Sequence, residues 1–247
     1  MTTSDARQPM MGHLKELRNR LGKSTVAVVV GAIIAYLVRD GFELGGFAVP
    51  GLWDLLVAPY EEVFPGNELT NIKVAEQFSV LLRLIGFGGF LIASPYLFGQ
   101  AWGFVSPALS KREKRWTIPI VAALFCLFSA GVGFAYWLLP RVLELLGSFL
   151  EVNVQITISD YFAFFLRFLL VFGLTFEFPV FLFAAGAVGI VTSAQLRQAR
   201  RWAVLIIVIV AAGVTPTGDA YTLFFLAGPL YALYELTLLL IRFVLRK

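Results

Sequence analysis

The sequence has few of the residues from which soluble enzymes build their sites. Its 247 residues include one histidine, His13, and one cysteine, Cys126, and only 15% of the residues are charged. Zinc sites of the HExxH type need two histidines and disulfide frameworks need at least two cysteines, more than the chain has. His13 lies near the N-terminus, so we expect no serine–histidine pair within the membrane. The sequence also has no GxxxxGK[ST] phosphate-binding loop. We therefore expect no catalytic residue, no metal site and no cofactor, and we expect that the protein is not an enzyme.

Apolar residues are abundant instead. They make up 59% of the chain, 24 of them are phenylalanine, and the mean hydropathy is +0.81. An ordinary soluble domain is roughly 45–50% apolar and about 25% charged, and one soluble core of this size could not bury so much apolar surface. The composition therefore predicts a polytopic membrane protein. We attribute the net charge of +4 to basic loops of such a protein and expect no nucleic-acid partner.

Six apolar runs approach the length of about 20 residues that a membrane-spanning helix needs. The fifth has only about 13 apolar residues and is followed by a break at 215–219, which predicts a tight hairpin of two helices, the first of them short. We expect an all-α fold with a single transmembrane domain over residues 1–247. A further stretch, Leu52–Val63, is too short to span and predicts an amphipathic helix in the interface. The predicted spans cover residues 21–38, 78–98, 118–139, 161–188, 202–214 and 221–243.

Lysine and arginine alternate between the segments that separate these runs. The seven segments carry 5, 2, 4, 1, 3, 0 and 3 of them along the chain. Cytoplasmic loops of membrane proteins have an excess of lysine and arginine. The series therefore predicts six spans with both the amino and the carboxyl terminus in the cytoplasm.

Four ionisable residues lie inside the runs, where a charge is costly. Arg83 and Arg167 are near the outer ends of their runs and could be interface anchors. Glu177 lies in the middle of the fourth run beside Pro179, which removes a backbone hydrogen bond. Its carboxyl group must be neutral, paired or next to a polar cavity, so its role is either functional or a structural polar contact. For Glu235 in the last run the same two interpretations remain open.

Two segments of the predicted cytoplasmic side also have distinct patterns. Leucines at 14, 17 and 21 share one helical face, which fits an amphipathic helix on anionic lipid. In the first inner loop Glu113 is the only acid among four bases, which on its own fits a solvated loop.

Taken together, these motifs resemble TatC, the polytopic receptor subunit of the twin-arginine protein translocase. The matches extend over nearly the whole chain in the order of that family. They comprise His13-Leu14-x-Glu16-Leu17-Arg18-x-Arg20, Phe104-x-x-Pro107-Ala108-Leu109 with Glu113-Lys114-Arg115, Phe176-Glu177-Phe178-Pro179, Thr215-Pro216-x-x-Asp219, and Pro229-x-x-x-x-Tyr234-Glu235.

The resemblance implies a receptor that binds twin-arginine signal peptides and organises the export of folded proteins, driven by the proton-motive force. The implied partners are single-span subunits of the TatA and TatB type, the lipid bilayer and further copies of the chain. The implied location is the cytoplasmic membrane of a prokaryote. Glu177 and Glu235 would be intramembrane polar residues, with a partner helix docking near Glu177. The implied signal-peptide site comprises Glu16, Arg18, Phe104 and Glu113.

Carboxylates suit the recognition of an arginine pair, because a planar guanidinium offers paired donors to the two carboxylate oxygens. The bases around Glu16 and Glu113 favour their ionised form. A charge-assisted hydrogen bond contributes about 1.5–3 kcal/mol, so two of them could separate true signals from others roughly 100-fold. Phe104 would supply apolar contact for the residues that follow the arginines.

Three alternatives compete with this interpretation. The main one is a proton-coupled secondary transporter that uses Glu177, although the sequence has no evident internal repeat of the kind common in transporters. An intramembrane protease would need catalytic residues that the chain does not offer. A bare scaffold for partner helices predicts that Glu113→Ala changes nothing.

Overall fold

The computed structural model describes residues 7–44, 47–67, 69–70, 74–105, 117–149, 156–189, 191–214 and 220–245, and these are mostly helical. One short antiparallel strand pair, β1 (Phe42–Leu44) and β2 (Phe47–Val49), follows the first helix. A π-helical turn, Ile241–Leu245, follows the last. The helices are α1 (Arg7–Leu37), α2 (Leu52–Val63), α3 (Val74–Val105), α4 (Thr117–Phe149), α5 (Ile158–Thr175), α6 (Phe178–Val188), α7 (Ser193–Val214) and α8 (Ala220–Leu240).

Four segments among the described residues are long and apolar enough to cross a membrane. They match the first four predicted runs and extend beyond each of them at one end or at both, because helical structure continues past the apolar runs into their flanks. The prediction of six spans is thus confirmed for four, and the membrane orientation of the termini stays a prediction. The four segments are Leu14–Leu37, Ala75–Phe104, Ile118–Ser148 and Ile158–Gly186.

The chain forms two compact units. The first comprises Met1–Val57 and Gln77–Phe125, and the second comprises Ala58–Glu76 and Cys126–Lys247. The single transmembrane domain over 1–247 stays a prediction.

In the first unit, α1 and α3 approach each other through their backbones. A Cβ atom on Gly31 would lie 2.5 Å from the carbonyl oxygen of Gly89, and one on Gly89 would lie 2.6 Å from the amide nitrogen of Ala32. Contacts this short leave no room for a side chain. Small residues at such positions let transmembrane helices pack closely, and here they set the distance between α1 and α3.

The predicted amphipathic stretch forms α2, with the predicted bounds. Leu56 and Tyr60, one helical turn apart, are buried, whereas Glu61 and Glu62 are exposed. The chain reaches the start of α2 through a turn in which the amide of Trp53 donates to the carbonyl oxygen of Arg39 (3.1 Å). The prediction of an amphipathic helix is confirmed, and its place in the membrane interface stays a prediction.

In the second unit, α4 packs against α5 through glycines and aromatic rings. A Cβ on Gly131 would lie 2.8 Å from the carbonyl oxygen of Phe172, and one on Gly173 would lie 2.6 Å from the ring of Phe128. The ring of Phe134 lies 5.8 Å from those of both Phe172 and Phe176. Offset and tilted ring contacts of this kind add to the packing energy. The many phenylalanines of the sequence thus form much of this unit's core.

The fourth predicted run, 161–188, is two helices. The helix α5 ends at Thr175, Phe176 and Glu177 form a turn, and α6 begins at Phe178. Pro179 lies in the first turn of α6, where its missing amide hydrogen costs nothing. The disturbance expected from Pro179 is therefore a complete division of the helix.

The last two helices pack on each other and on α6. Leu196 and Tyr234 belong to their buried cluster, with Leu238 and Ile241. The helix α7 begins at Ser193, nine residues before the predicted 202, so Arg197 and Arg200 lie on a helix rather than in a loop, and the prediction of a short fifth helix is wrong. A capping box starts α7, in which the amide of Thr192 donates to Gln195 Oε1 (2.9 Å). The predicted break at 215–219 lies outside the described residues.

Candidate functional site

The predicted site residue Glu16 forms an ion pair on α1. Arg20, one helical turn further on, donates to Glu16 Oε1 from Nη2 (2.8 Å) and from Nε (2.9 Å). The spacing of four residues places the two side chains on the same helical face. The second oxygen of Glu16, Oε2, has no hydrogen-bond partner among the described residues, and the side chain keeps 36% of its surface exposed. The carboxylate is therefore fixed through Oε1, while Oε2 has no partner within the part of the chain that the structure describes.

The same arginine connects α1 to the end of α3. Its Nη1 atom donates to Gln100 Oε1 (3.2 Å), and its guanidinium group fills the space that a side chain on Gly103 would need. Phe104, the third predicted site residue, follows Gly103 directly and is half-buried. Arg20 thus places Glu16 close to the end of α3 that carries Phe104.

The fold gives Arg18 a different position from Glu16. It is exposed and lines a shallow groove of about 520 Å³ together with Lys23 of α1 and Tyr96 of α3. Among the described residues, Arg18 has no ion-pair partner. Glu113, the fourth predicted site residue, lies outside the described residues, as do the loop residues around it.

Glu177 lies in the second unit, at the division between α5 and α6. Its side chain is buried, with 2% of its surface exposed. Neither carboxylate oxygen meets hydrogen-bond geometry with a donor among the described residues, although the backbone of Phe128 lies close by. A buried carboxyl group without a partner is costly. From the sequence, two roles are open for this carboxyl group, a functional one and a structural polar contact.

Glu235, by contrast, has a hydrogen-bond donor on each of its carboxylate oxygens. Its Oε2 accepts a hydrogen bond from Arg200 Nη2 (2.7 Å), and its Oε1 accepts one from the hydroxyl of Tyr231 (2.9 Å). The neighbouring Tyr234 donates to the carbonyl oxygen of Leu196 (2.6 Å). The bonds of Arg200 and Tyr234 connect α7 to α8, and that of Tyr231 lies within α8, so the structure shows a structural polar contact at Glu235. A further role in docking a partner helix stays a prediction.

Sequence reasoning did not identify the residues that hold these carboxylates. The spacing of Glu16 and Arg20 was a usable signal, because opposite charges four residues apart on a helix usually meet. The contacts of Arg20 with Gln100 and Gly103, and of Arg200 with Glu235, join residues distant in sequence and had no such signal. The described part of the chain contains no group of histidine, cysteine, aspartate or glutamate residues that could hold a metal ion.

The two arginines that were predicted as interface anchors, Arg83 and Arg167, are both exposed on their helices, α3 and α5.

A family model, relatives in sequence and solved structures all show that this chain is similar to TatC proteins. Residues 12–229 match the family model described as "Sec-independent protein translocase protein (TatC)". A relative from Deinococcus radiodurans, named Sec-independent protein translocase protein TatC, is 35% identical over 244 residues, which cover 96% of this chain and 87% of the relative.

Two solved structures, both described as crystal structures of the twin-arginine translocase receptor TatC, have a similar fold. One has a TM-score of 0.73 and 31% identity over 95% of this chain and 100% of that chain. The other, in the detergent DDM, has a TM-score of 0.77 and 31% identity over 92% of this chain and 98% of that chain. With its long apolar helices, the protein is a multi-pass membrane protein, and it belongs to the TatC family of Sec-independent protein translocase proteins.

Proposed function

We propose that this chain is the receptor for twin-arginine signal peptides and the organising core of a translocase that exports folded proteins with the proton-motive force. The observation that carries the proposal is the state of Glu16, a partly exposed carboxylate held by Arg20 through one oxygen, with no partner on the other oxygen among the described residues. The solved structures most like this chain are described as twin-arginine translocase receptors, which supports the same role here.

The geometry of Glu16 suits it to a ligand's arginine. Arg20 occupies Oε1 from two donors, which orients the carboxylate before a ligand arrives. Its second oxygen, Oε2, can then accept a charge-assisted hydrogen bond from an arriving guanidinium group. Less ordering of the receptor is left for the moment of binding, and this favours affinity.

The remaining site residues take supporting roles in the proposal. Glu113 supplies the second carboxylate for the arginine pair, and Phe104 contacts the apolar residues that follow it. Arg18, which is exposed and cationic, disfavours peptides with a misplaced positive charge.

The second unit is proposed to serve the partner subunits. Glu177 has no donor among the described residues, so a polar group on a single-span TatA- or TatB-type helix would relieve its cost on docking. Glu235 stabilises the α7–α8 pair against which such helices assemble, next to further copies of the chain. The proposal includes six spans with both termini in the cytoplasm. Membership of the family does not favour the transporter alternative at Glu177.

Photo-crosslinking in membranes tests the receptor role. A twin-arginine signal peptide with a photoreactive group is compared on wild type, Glu16→Gln and Glu113→Gln, and a Lys-Lys peptide is compared with the Arg-Arg peptide on wild type. Loss of one charge-assisted bond should weaken binding by about tenfold to hundredfold. Glu61→Gln, which removes an exposed carboxylate of α2, is the matched control and should crosslink as wild type does.

Equal crosslinking of both peptides to all variants would contradict a carboxylate-based receptor. If export also continued unchanged in Glu113→Gln, the bare scaffold would be the better description.

A further inference from the structure

The groove beside α1 is a second feature with a distinct chemistry. It is lined by Arg18, Asn19, Gly22, Lys23 and Val26 of α1 and by Tyr96 of α3, with a volume of about 520 Å³. Its α1 members form two series with a spacing of four residues, 18, 22 and 26 and the adjacent 19 and 23, so they share one helical face. All six residues belong to the first unit.

The charge of the groove is positive. Neither Arg18 nor Lys23 forms an ion pair within the described residues, and both side chains are exposed. Glu16 is the only acid on α1, and it is already paired with Arg20. Among the described residues, the two cations therefore have no acid that competes with an anionic ligand.

The groove is also apolar at one end. Val26 has 63% and Tyr96 has 45% of its surface exposed, and both lie within segments long and apolar enough to span a membrane. Cations therefore stand next to apolar surface at the point where α1 changes from its polar to its apolar part. This order of groups, from charge to hydrocarbon, is that of a phospholipid.

We infer that this groove binds the headgroup of an anionic phospholipid, with the phosphate between Arg18 and Lys23 and an acyl chain along Val26 and Tyr96. Basic pockets at the end of transmembrane helices hold anionic headgroups in this way. A free phosphate ion would use the cations and leave the apolar end unused, so the lipid fits the groove better. The absence of a side chain at Gly22 keeps the groove open, since a Cβ there would meet no atom within 4 Å.

Native mass spectrometry of the full chain in detergent tests this assignment without any signal peptide, so its outcome is independent of the proposed receptor role. The protein is titrated with phosphatidylglycerol or with phosphatidylcholine, and the apparent affinity for the first bound lipid is measured. Wild type should bind phosphatidylglycerol more tightly than phosphatidylcholine. Lys23→Gln should lower the affinity for phosphatidylglycerol about fivefold.

A pair of glycine substitutions provides the matched control. Gly22→Leu should fill the groove and weaken phosphatidylglycerol binding at least as much as Lys23→Gln. Gly86→Leu makes the same change on α3 at a position that is equally open but outside the groove, and it should bind as wild type does.

Three results would overturn the inference. One is equal affinity of wild type, Lys23→Gln and Gly22→Leu for phosphatidylglycerol, and another is equal affinity of wild type for the two lipids. The third is displacement of phosphatidylglycerol by inorganic phosphate at the same concentration, which would assign the cations to the free ion.

Discussion

Two carboxylates of this chain have opposite environments. Glu16 on α1 is partly exposed and receives two hydrogen bonds from Arg20, whereas Glu177 is buried and has no donor among the described residues. Removing a partly exposed ion pair of this kind changes the free energy of unfolding little. A buried, unpaired carboxyl group lowers stability by about 1–3 kcal/mol relative to an apolar group. The comparison separates a carboxylate that we propose receives a ligand from one that the fold tolerates at a cost.

The close contact of α4 with α5 at Gly131, beside Phe172 and Phe176, should be the most sensitive to substitution. In Gly131→Leu the new side chain would meet the carbonyl oxygen of Phe172 at 2.8 Å and the Cβ of Phe176 at 2.9 Å. Overpacking against backbone should lower the free energy of unfolding by about 3 kcal/mol. Thermal unfolding of the detergent-purified protein measures the effect. Gly133→Leu on the same helix meets nothing within 4 Å and is the control, and equal losses in both would contradict the proposed contact.

Replacing Glu177 itself should stabilise the isolated protein. Glu177→Met removes two unpaired buried oxygens and keeps much of the volume, so the free energy of unfolding should rise by about 2 kcal/mol. Glu177→Gln keeps a polar group in the same place and should gain less. The readout is again the thermal midpoint. A methionine variant less stable than wild type would mean that the carboxyl group has a stabilising partner, with the backbone of Phe128 the first to consider.

Loss of the ion pair between Arg200 of α7 and Glu235 of α8 should change the free energy of unfolding less than either substitution of Glu177. Arg200→Gln removes the 2.7 Å bond to Glu235 and leaves only the hydroxyl of Tyr231 on that carboxylate. We expect a small decrease in the thermal midpoint, because the arginine is well exposed. Arg197→Gln is the control, since Arg197 has no ion-pair partner within the described ranges. A midpoint unchanged in both variants would show that Tyr234 and the apolar cluster hold the two helices without this pair.

The smallest effect on stability is expected at Glu16. Glu16→Gln removes one ion pair between residues four apart on a helix, so the free energy of unfolding should fall by only about 0.3–0.5 kcal/mol. The same variant is expected to lose signal-peptide crosslinking, which separates a ligand-binding role from a structural one. A large loss of stability would instead make Arg20 and Glu16 a structural connection between α1 and α3.

The sequence was sufficient for the features that depend on composition and local spacing. The four long apolar helices, the amphipathic α2 and the disturbance at Pro179 follow from hydropathy, periodicity and the missing amide hydrogen. The family was also visible from motifs that surround Glu16, Glu177 and Glu235.

Contacts between residues that are distant in sequence could not be predicted from composition or local spacing. Nothing local indicates that Gln100 and Gly103 receive Arg20, or that Arg200 reaches Glu235, because these contacts depend on how helices pack. The start of α7 at Ser193 was also missed, since hydropathy marks the apolar part of a helix and not its basic first turns. A capping box at Thr192 was the local signal for it.

The backbone contact of α1 with α3 at Gly31 and Gly89 has a thermodynamic consequence. Separating two helices within a bilayer exposes them to lipid rather than to water, so the hydrophobic effect supplies little of the energy that holds them together. Hydration of apolar surface is the source of the large heat capacity change when soluble proteins unfold. Separation of α1 from α3 in the membrane should therefore have almost no heat capacity change, and the enthalpy of this contact should be nearly independent of temperature.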